Sequence, residues 1–162
     1  MASTKKKKEK YESGKPFHSG KYSVNLPKLV TIRAKPQTME LPITIYEKLG
    51  DERLLLLLQT FYDKVFDSEI IGSLFKNSDK EVILDKQYCF LTQFLGGPMR
   101  YNEKYGFPKM RQRHLEHKID EPAKVEWLKL MKESIDTLDC DQNLKDVLYN
   151  CFPTTAAHMV NS

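Results

Sequence analysis

From Pro42 onward the apolar residues recur at three- and four-residue intervals, the period of an α-helix. "TIYEKLG" at 44–50 reads as a short helix with Thr44 as its cap and Gly50 as its stop. Asp51 opens a second helix to about Phe66, and Leu55, Leu58, Tyr62 and Val65 predict its inward face. "SEIIGSLF" reads as a short turn or helix ending at Phe75. A further helix follows "NSDKE", with Ser78 as cap and Glu81 at the capping-box spacing. It runs to about Leu95 and gathers Ile83, Gln87, Phe90, Leu91 and Phe94 on one face. "GGP" at 96–98 ends it, and a loop with Tyr101, Tyr105 and Gly106 comes next. A short helix starts near Lys109. Asp120 caps a long one to about Leu138, with Ala123, Trp127, Leu130 and Ile135 inward. A last helix is expected from about Gln142 to Met159. No strand alternation of any length competes, so the class is all-α.

Composition adds a core and a tail. The 162 residues are 40% hydrophobic, enough to bury one domain's core. Residues 1–36 hold ten of the 26 Lys and Arg but two of the 22 Asp and Glu, so the remainder is mildly acidic. Residues 1–41 are therefore expected to be a basic, largely disordered extension, with "KLVTIR" as one extended piece, and 42–162 the folded domain. The lysines lack interleaved aromatic stacking residues, which argues against nucleic acid or acidic lipid as their partner. The longest apolar run, Leu54 to Leu58, is far too short to span a bilayer, and no apolar stretch follows the first lysines. Cys89, Cys140 and Cys151 are odd in number and share no CxxC or CxxH spacing. They read as reduced and buried, in a cytoplasmic protein.

Candidate chemistry begins with polar groups on apolar faces. Tyr62 and Gln87 point inward, where an unpaired hydroxyl or amide costs about 1–3 kcal/mol. "GFPKMRQRHLEHK" at 106–118 puts Met110 and His114 four residues apart, on one face of a short helix. His117 raises a zinc alternative with His114, but no further ligands are placed to complete it. Hydrolytic and nucleotide motifs are absent: there is no GxSxG, P-loop or HExxH. A flat apolar cofactor between helices suits Met110, His114, Tyr62 and Gln87 together. A haem iron takes one neutral imidazole, its propionates take cations such as Lys109, Arg111 and Arg113, and a gas on the iron gains from donors such as Tyr62 and Gln87.

The stretch from Tyr46 to Asn161 resembles the group II truncated haemoglobins. "FYDKV" at 61–65, "QYCFLTQFLGGP" at 87–98, "MRQRH" at 110–114, "WLKLM" at 127–131 and "AAHMVN" at 156–161 carry the resemblance, in order and with matching gaps. It implies a two-over-two helical sandwich around haem b, with His114 as the axial ligand of a five-coordinate iron. It implies distal groups at Tyr62, Gln87 and Trp127, with an aliphatic Ile83 at the gate position. It implies packing on the haem by Phe61, Phe75, Leu91 and Met110, and propionate contacts from Lys86, Tyr101, Arg111 and Arg113. Dioxygen, nitric oxide or other diatomic gases are the implied ligands. Redox turnover, as nitric oxide dioxygenase or peroxidase, would draw on an external reductase, since the chain has no flavin or NAD motif. A haem-free helical interaction module is the third reading. The sequence departs from the family where Leu115-Glu116-His117-Lys118 lacks the prolines that commonly follow the axial histidine, and where Arg100 follows "GGPM".

Overall fold

The computed structural model describes residues 42–162, all of whose regular elements are helical. The expectations for the basic extension and "KLVTIR" lie outside those residues.

Helix α1 spans Ile45–Asp67 and is kinked at Gly50, whose φ of 78° is a conformation that side-chain-bearing residues rarely adopt. The kink is the stop expected there, with the second helix running on from Asp51. Thr44 caps α1 in a full capping box. Its hydroxyl accepts from Glu47 N at 3.1 Å, and Glu47 Oε2 accepts from Thr44 N at 2.8 Å. Leu54, Leu57, Leu58, Phe61, Tyr62 and Val65 are buried on α1, whereas Leu55 is 42% exposed. The inward face is thus set one residue from the expected phase at its first position, because the unbroken leucine run at 54–58 gives no polar marker of which leucine faces in.

A 3₁₀ turn at Gly72–Phe75 leads to α2, Lys80–Phe94. Its cap is Asp79, which accepts from Glu81 N and Val82 N, and not Ser78. Residues 100–105, expected as loop, form α3, Arg100–Tyr105, which stands against α2. Helix α4, Met110–His114, is a single turn and a half. Helix α5, Glu121–Asp136, is capped by Asp120 through Ala123 N at 2.9 Å, as the sequence indicated. The expected last helix is two: α6, Gln142–Asn150, and α7, Pro153–Met159. Pro153 is the break, since it has no N–H to donate and its ring crowds the carbonyl of the preceding turn.

Helix α1 packs on α2 and crosses α5, while α5 lies against α6 and α7. Two helical pairs face one another, a two-over-two sandwich. Its core holds Leu58, Phe61, Met131, Ile135 and Leu148, each at most 1% exposed. Each such side chain contributes about 1.5–3 kcal/mol, so the sandwich rests on this layer more than on surface ion pairs worth about 0–1 kcal/mol each. The three cysteines are free; Cys89 is buried, while Cys140 and Cys151 are half-buried rather than fully interior. Among the described residues no helix is long and apolar enough to cross a membrane.

Candidate functional site

The sandwich does not close completely. Between α1, α2, α4 and α5 lies a cavity whose inner part holds about 940 Å³, the portion open to solvent included. Phe61 and Tyr62 reach it from α1, Gln87 and Leu91 from α2, Met110 and His114 from α4, and Trp127 from α5. Its outer part, about 1290 Å³ on the same measure, adds Ile83, Lys86, Tyr101, Arg113 and His117. Tyr62, Phe75, Gln87, Met110 and His114 line both parts, so the two adjoin across these side chains.

His114 is the last residue of α4. Its Nδ1 lies 2.7 Å from the carbonyl oxygen of Met110, one helical turn back. A carbonyl only accepts, so Nδ1 carries a proton, and in the neutral ring Nε2 is then the nitrogen with the lone pair. That is the tautomer a metal-binding imidazole needs. Among the described residues no three His, Cys, Asp or Glu side chains come together as a ligand set; His114 lines the inner and the outer cavity, and His117 the outer part alone.

Tyr62 is 3% exposed. Burial pushes its hydroxyl well above the ordinary tyrosine range, and the Gln87 amide beside it opposes that shift only in part. The phenol therefore stays protonated, a donor, at every physiological pH. Aromatic edges hold it in place. The Phe61 ring lies 5.1 Å from Tyr62 and 5.1 Å from Trp127, both edge-on, and Phe75 lies 6.1 Å from Tyr62. Three donor-bearing residues from three helices thus share one apolar chamber.

The mouth is polar. Lys86 and Arg113 are its cations, with Tyr101 buried behind them in α3. Arg111 is elsewhere: its guanidinium donates to the carbonyl of His158 on α7, and it borders a surface depression on the far side of Met110 and Phe94 but neither part of the cavity. The expected contact from Arg111 to the cavity mouth is not what this arrangement offers, because residues 111 and 113 are about 200° apart around a helix and face different sides. Phe152, Ile119 and Met131 also line the cavity without having been singled out in the sequence. Phe152 had a signal, an aromatic directly before a helix-starting proline, but its facing depends on the break between α6 and α7. Arg100 lies outside the cavity. It pairs with Asp51 at 3.0 and 3.2 Å, donates to Tyr88 and stacks near the Tyr46 ring, tying α3 to the kink of α1.

The family model described as bacterial-like globin matches residues 44–161. The chain belongs to the bacterial-like globin family. It is 38% identical over 116 residues to the group 2 truncated hemoglobin YjbI of Bacillus subtilis (strain 168), across 72% of this chain and 87% of that one. Against the group 2 truncated hemoglobin 3-1 of Lotus japonicus it is 36% identical over 119 residues, covering 72% and 71% of the two chains. Solved structures agree. The truncated oxygen-avid haemoglobin from Bacillus subtilis superposes with a TM-score of 0.69 at 37% identity, over 73% of this chain and 99% of that chain. The group II truncated hemoglobin from Bacillus anthracis gives 0.71 at 32% identity, over 76% and 95%. The resemblance read from the five motifs is therefore borne out, as is the helical sandwich. At this level the chain is a haem-binding globin.

Proposed function

We propose that this globin binds haem b through His114 and uses it to hold dioxygen or a related diatomic gas against a polar distal wall of Tyr62, Gln87 and Trp127. The observation that carries the proposal is the His114 side chain: an imidazole on the wall of the apolar inner cavity, with Nδ1 donating to Met110 O, so that Nε2 is the nitrogen left to meet a metal. The donor set fits the cofactor. Phe61, Phe75, Leu91 and Met110 offer apolar faces for a porphyrin, and Lys86, Arg113 and Tyr101 stand at the mouth where two carboxylates would need partners.

Haem supplies an iron with one open position for a diatomic gas. The chain's own residues supply the rest. His114 would hold the iron through Nε2, its Nδ1–H kept on Met110 O. Tyr62, kept protonated by burial, presents an O–H, and Gln87 presents an amide. Hydrogen bonds to a group bearing partial negative charge are worth about 1.5–3 kcal/mol. Donors of that strength slow ligand escape, which suits retention or chemistry on the gas more than rapid exchange. Ile83 at the mouth is aliphatic and gives the ligand no further donor.

The test is spectroscopic. The purified protein loaded with haem should show a Soret band and a five-coordinate ferrous iron, and His114→Ala should lose that axial signature. Retention of the same axial-ligand spectrum in His114→Ala would refute the assignment. Mixing the oxy form with nitric oxide and following nitrate, with an external reductase resupplying electrons, separates a gas-holding role from dioxygenase turnover.

A further inference from the structure

Helix α4 carries the axial histidine and is too short to hold its own shape. Five residues lie far below the length at which an isolated helix is stable, and no side chain caps its N-terminus. The segment after it, Leu115 to Lys118, is exposed and contains no proline to stiffen it. Something else must fix the height and tilt of the His114 ring over the cavity.

Asn161, from the other end of the domain, makes the ties. Its side-chain Nδ2 donates to the carbonyl of His114 and to the carbonyl of His117, each at 2.9 Å. Its Oδ1 accepts from Ile119 N at 3.0 Å, and its backbone N–H donates to Ile119 O at 3.0 Å. The last carbonyls of any helix lack partners within the helix. Here one amide from a distant part of the chain joins His117 N–H, at 3.1 Å, on the last of these carbonyls, that of His114, and holds the His117 carbonyl just beyond the helix. Only one orientation of the amide works, because turning it over would set its oxygen against two carbonyl oxygens. Arg111 adds a second tie from α4 to the same segment, through His158 O.

We propose that Asn161 is the positioning residue of the axial histidine: it caps the C-terminus of α4 in trans and thereby sets the strength of the bond from His114 to iron. This rests on the haem reading above. The residue touches neither cofactor nor ligand and acts through the backbone of His114. Outer-shell partners of metal-binding histidines typically change metal affinity about 10–100-fold when removed; Met110 O is that partner here, and Asn161 holds the backbone of His114 from which the ring projects.

The experiment compares wild type, Asn161→Asp and Asn161→Ala as haem-loaded proteins. Asp keeps the acceptor for Ile119 N–H and places an oxygen where the amide NH₂ faced two carbonyls. The readouts are the iron–histidine stretch of the ferrous protein by resonance Raman and the rate of haem loss to an excess haem acceptor. Asn161→Asp should shift the stretch and release haem about 10–100-fold faster, with Asn161→Ala close behind. Lowered melting temperatures with an unmoved stretch and haem loss within about twofold of wild type would make Asn161 a purely structural residue and overturn the proposal. Amide exchange in the wild type guards against a folding failure of both variants: Ile119 N–H should be protected, and exchange as fast as an exposed loop amide would equally overturn it. If His114→Ala keeps the wild-type axial signature, the haem reading itself fails. If His114→Ala loses that signature and Asn161→Asp leaves it unchanged, only the positioning role fails.

Discussion

Gly97→Ala should destabilise this globin severely, although it adds one methyl group. The new Cβ would sit 2.4 Å from Tyr46 Cδ1, 2.6 Å from Tyr46 Cγ and 2.8 Å from the carbonyl oxygen of Thr92. Ordinary contact begins at 3.4 Å, so the tyrosine ring must retreat by about 1 Å or the chain at 96–98 must move. Neither is free. The Tyr46 hydroxyl donates to Asp51 at 2.6 Å, and Asp51 is held in turn by Arg100. The Tyr46 backbone N–H donates to Leu95 O at 3.0 Å. On the other side, Thr92 O accepts from Gly97 N at 2.9 Å, the bond that turns the chain off α2. Overpacking a tight site costs about 1–3 kcal/mol, and disrupting the partly exposed Asp51 cluster adds about 0.2–1 kcal/mol. The sum is roughly 1–4 kcal/mol, or about 3–20 °C in Tm at roughly 3–5 °C per kcal/mol for a domain of this size. Wild type and variant are melted at equal haem occupancy, since a bound ligand stabilises by mass action. Tyr46→Ala in the Gly97→Ala background should recover much of the loss relative to Tyr46→Ala alone. A variant melting within about 2 °C of wild type would refute the reasoning.

Tyr62→Phe should speed dioxygen release about tenfold or more by removing a donor worth about 1.5–3 kcal/mol, and Trp127→Phe should act in the same direction; stopped-flow off-rates unchanged in both would remove the distal wall. The Asp51 carboxyl is held well below the ordinary carboxylate range, first by its hydrogen bond from Arg100 and then by those from the tyrosines Tyr46 and Tyr88. A depressed folded-state value contributes stability above the unfolded pKa near 4 and loses it as pH falls through the lowered value. Arg100→Met should therefore cost about 1 kcal/mol or less near neutrality, with the gap to wild type closing below about pH 4; a gap that widens in acid would reverse the sign. Lys86→Ala with Arg113→Ala should hasten haem loss while leaving the Soret position unchanged, because both residues stand at the mouth and neither is the axial group.

Local chemistry settled much of this protein in advance. The helical period from Pro42, the Gly50 kink and the Asp120 cap all act within one or two turns, so the residues that cause them stand beside their effects. The inward tyrosine, glutamine and histidine were legible for the same reason: a polar group at an apolar phase is a local anomaly. Determinants that act across the chain were not legible. Which leucine of Leu54–Leu58 faces inward is decided by the helices packed against it, as the exposure of Leu55 shows. Arg111 and Arg113 look equivalent in sequence, yet one ties α4 to α7 and the other borders the cavity. Asn161 is a lone polar residue near the end of the sequence until the fold brings it to residues 114–119. The sequence by itself determined most of the helices, though not α3 or the division of the last helix into α6 and α7, and which side chains can do the chemistry, because those depend on neighbours three or four residues away. The tertiary structure alone decided how the histidine is held, because a five-residue helix borrows its rigidity from partners more than forty positions distant.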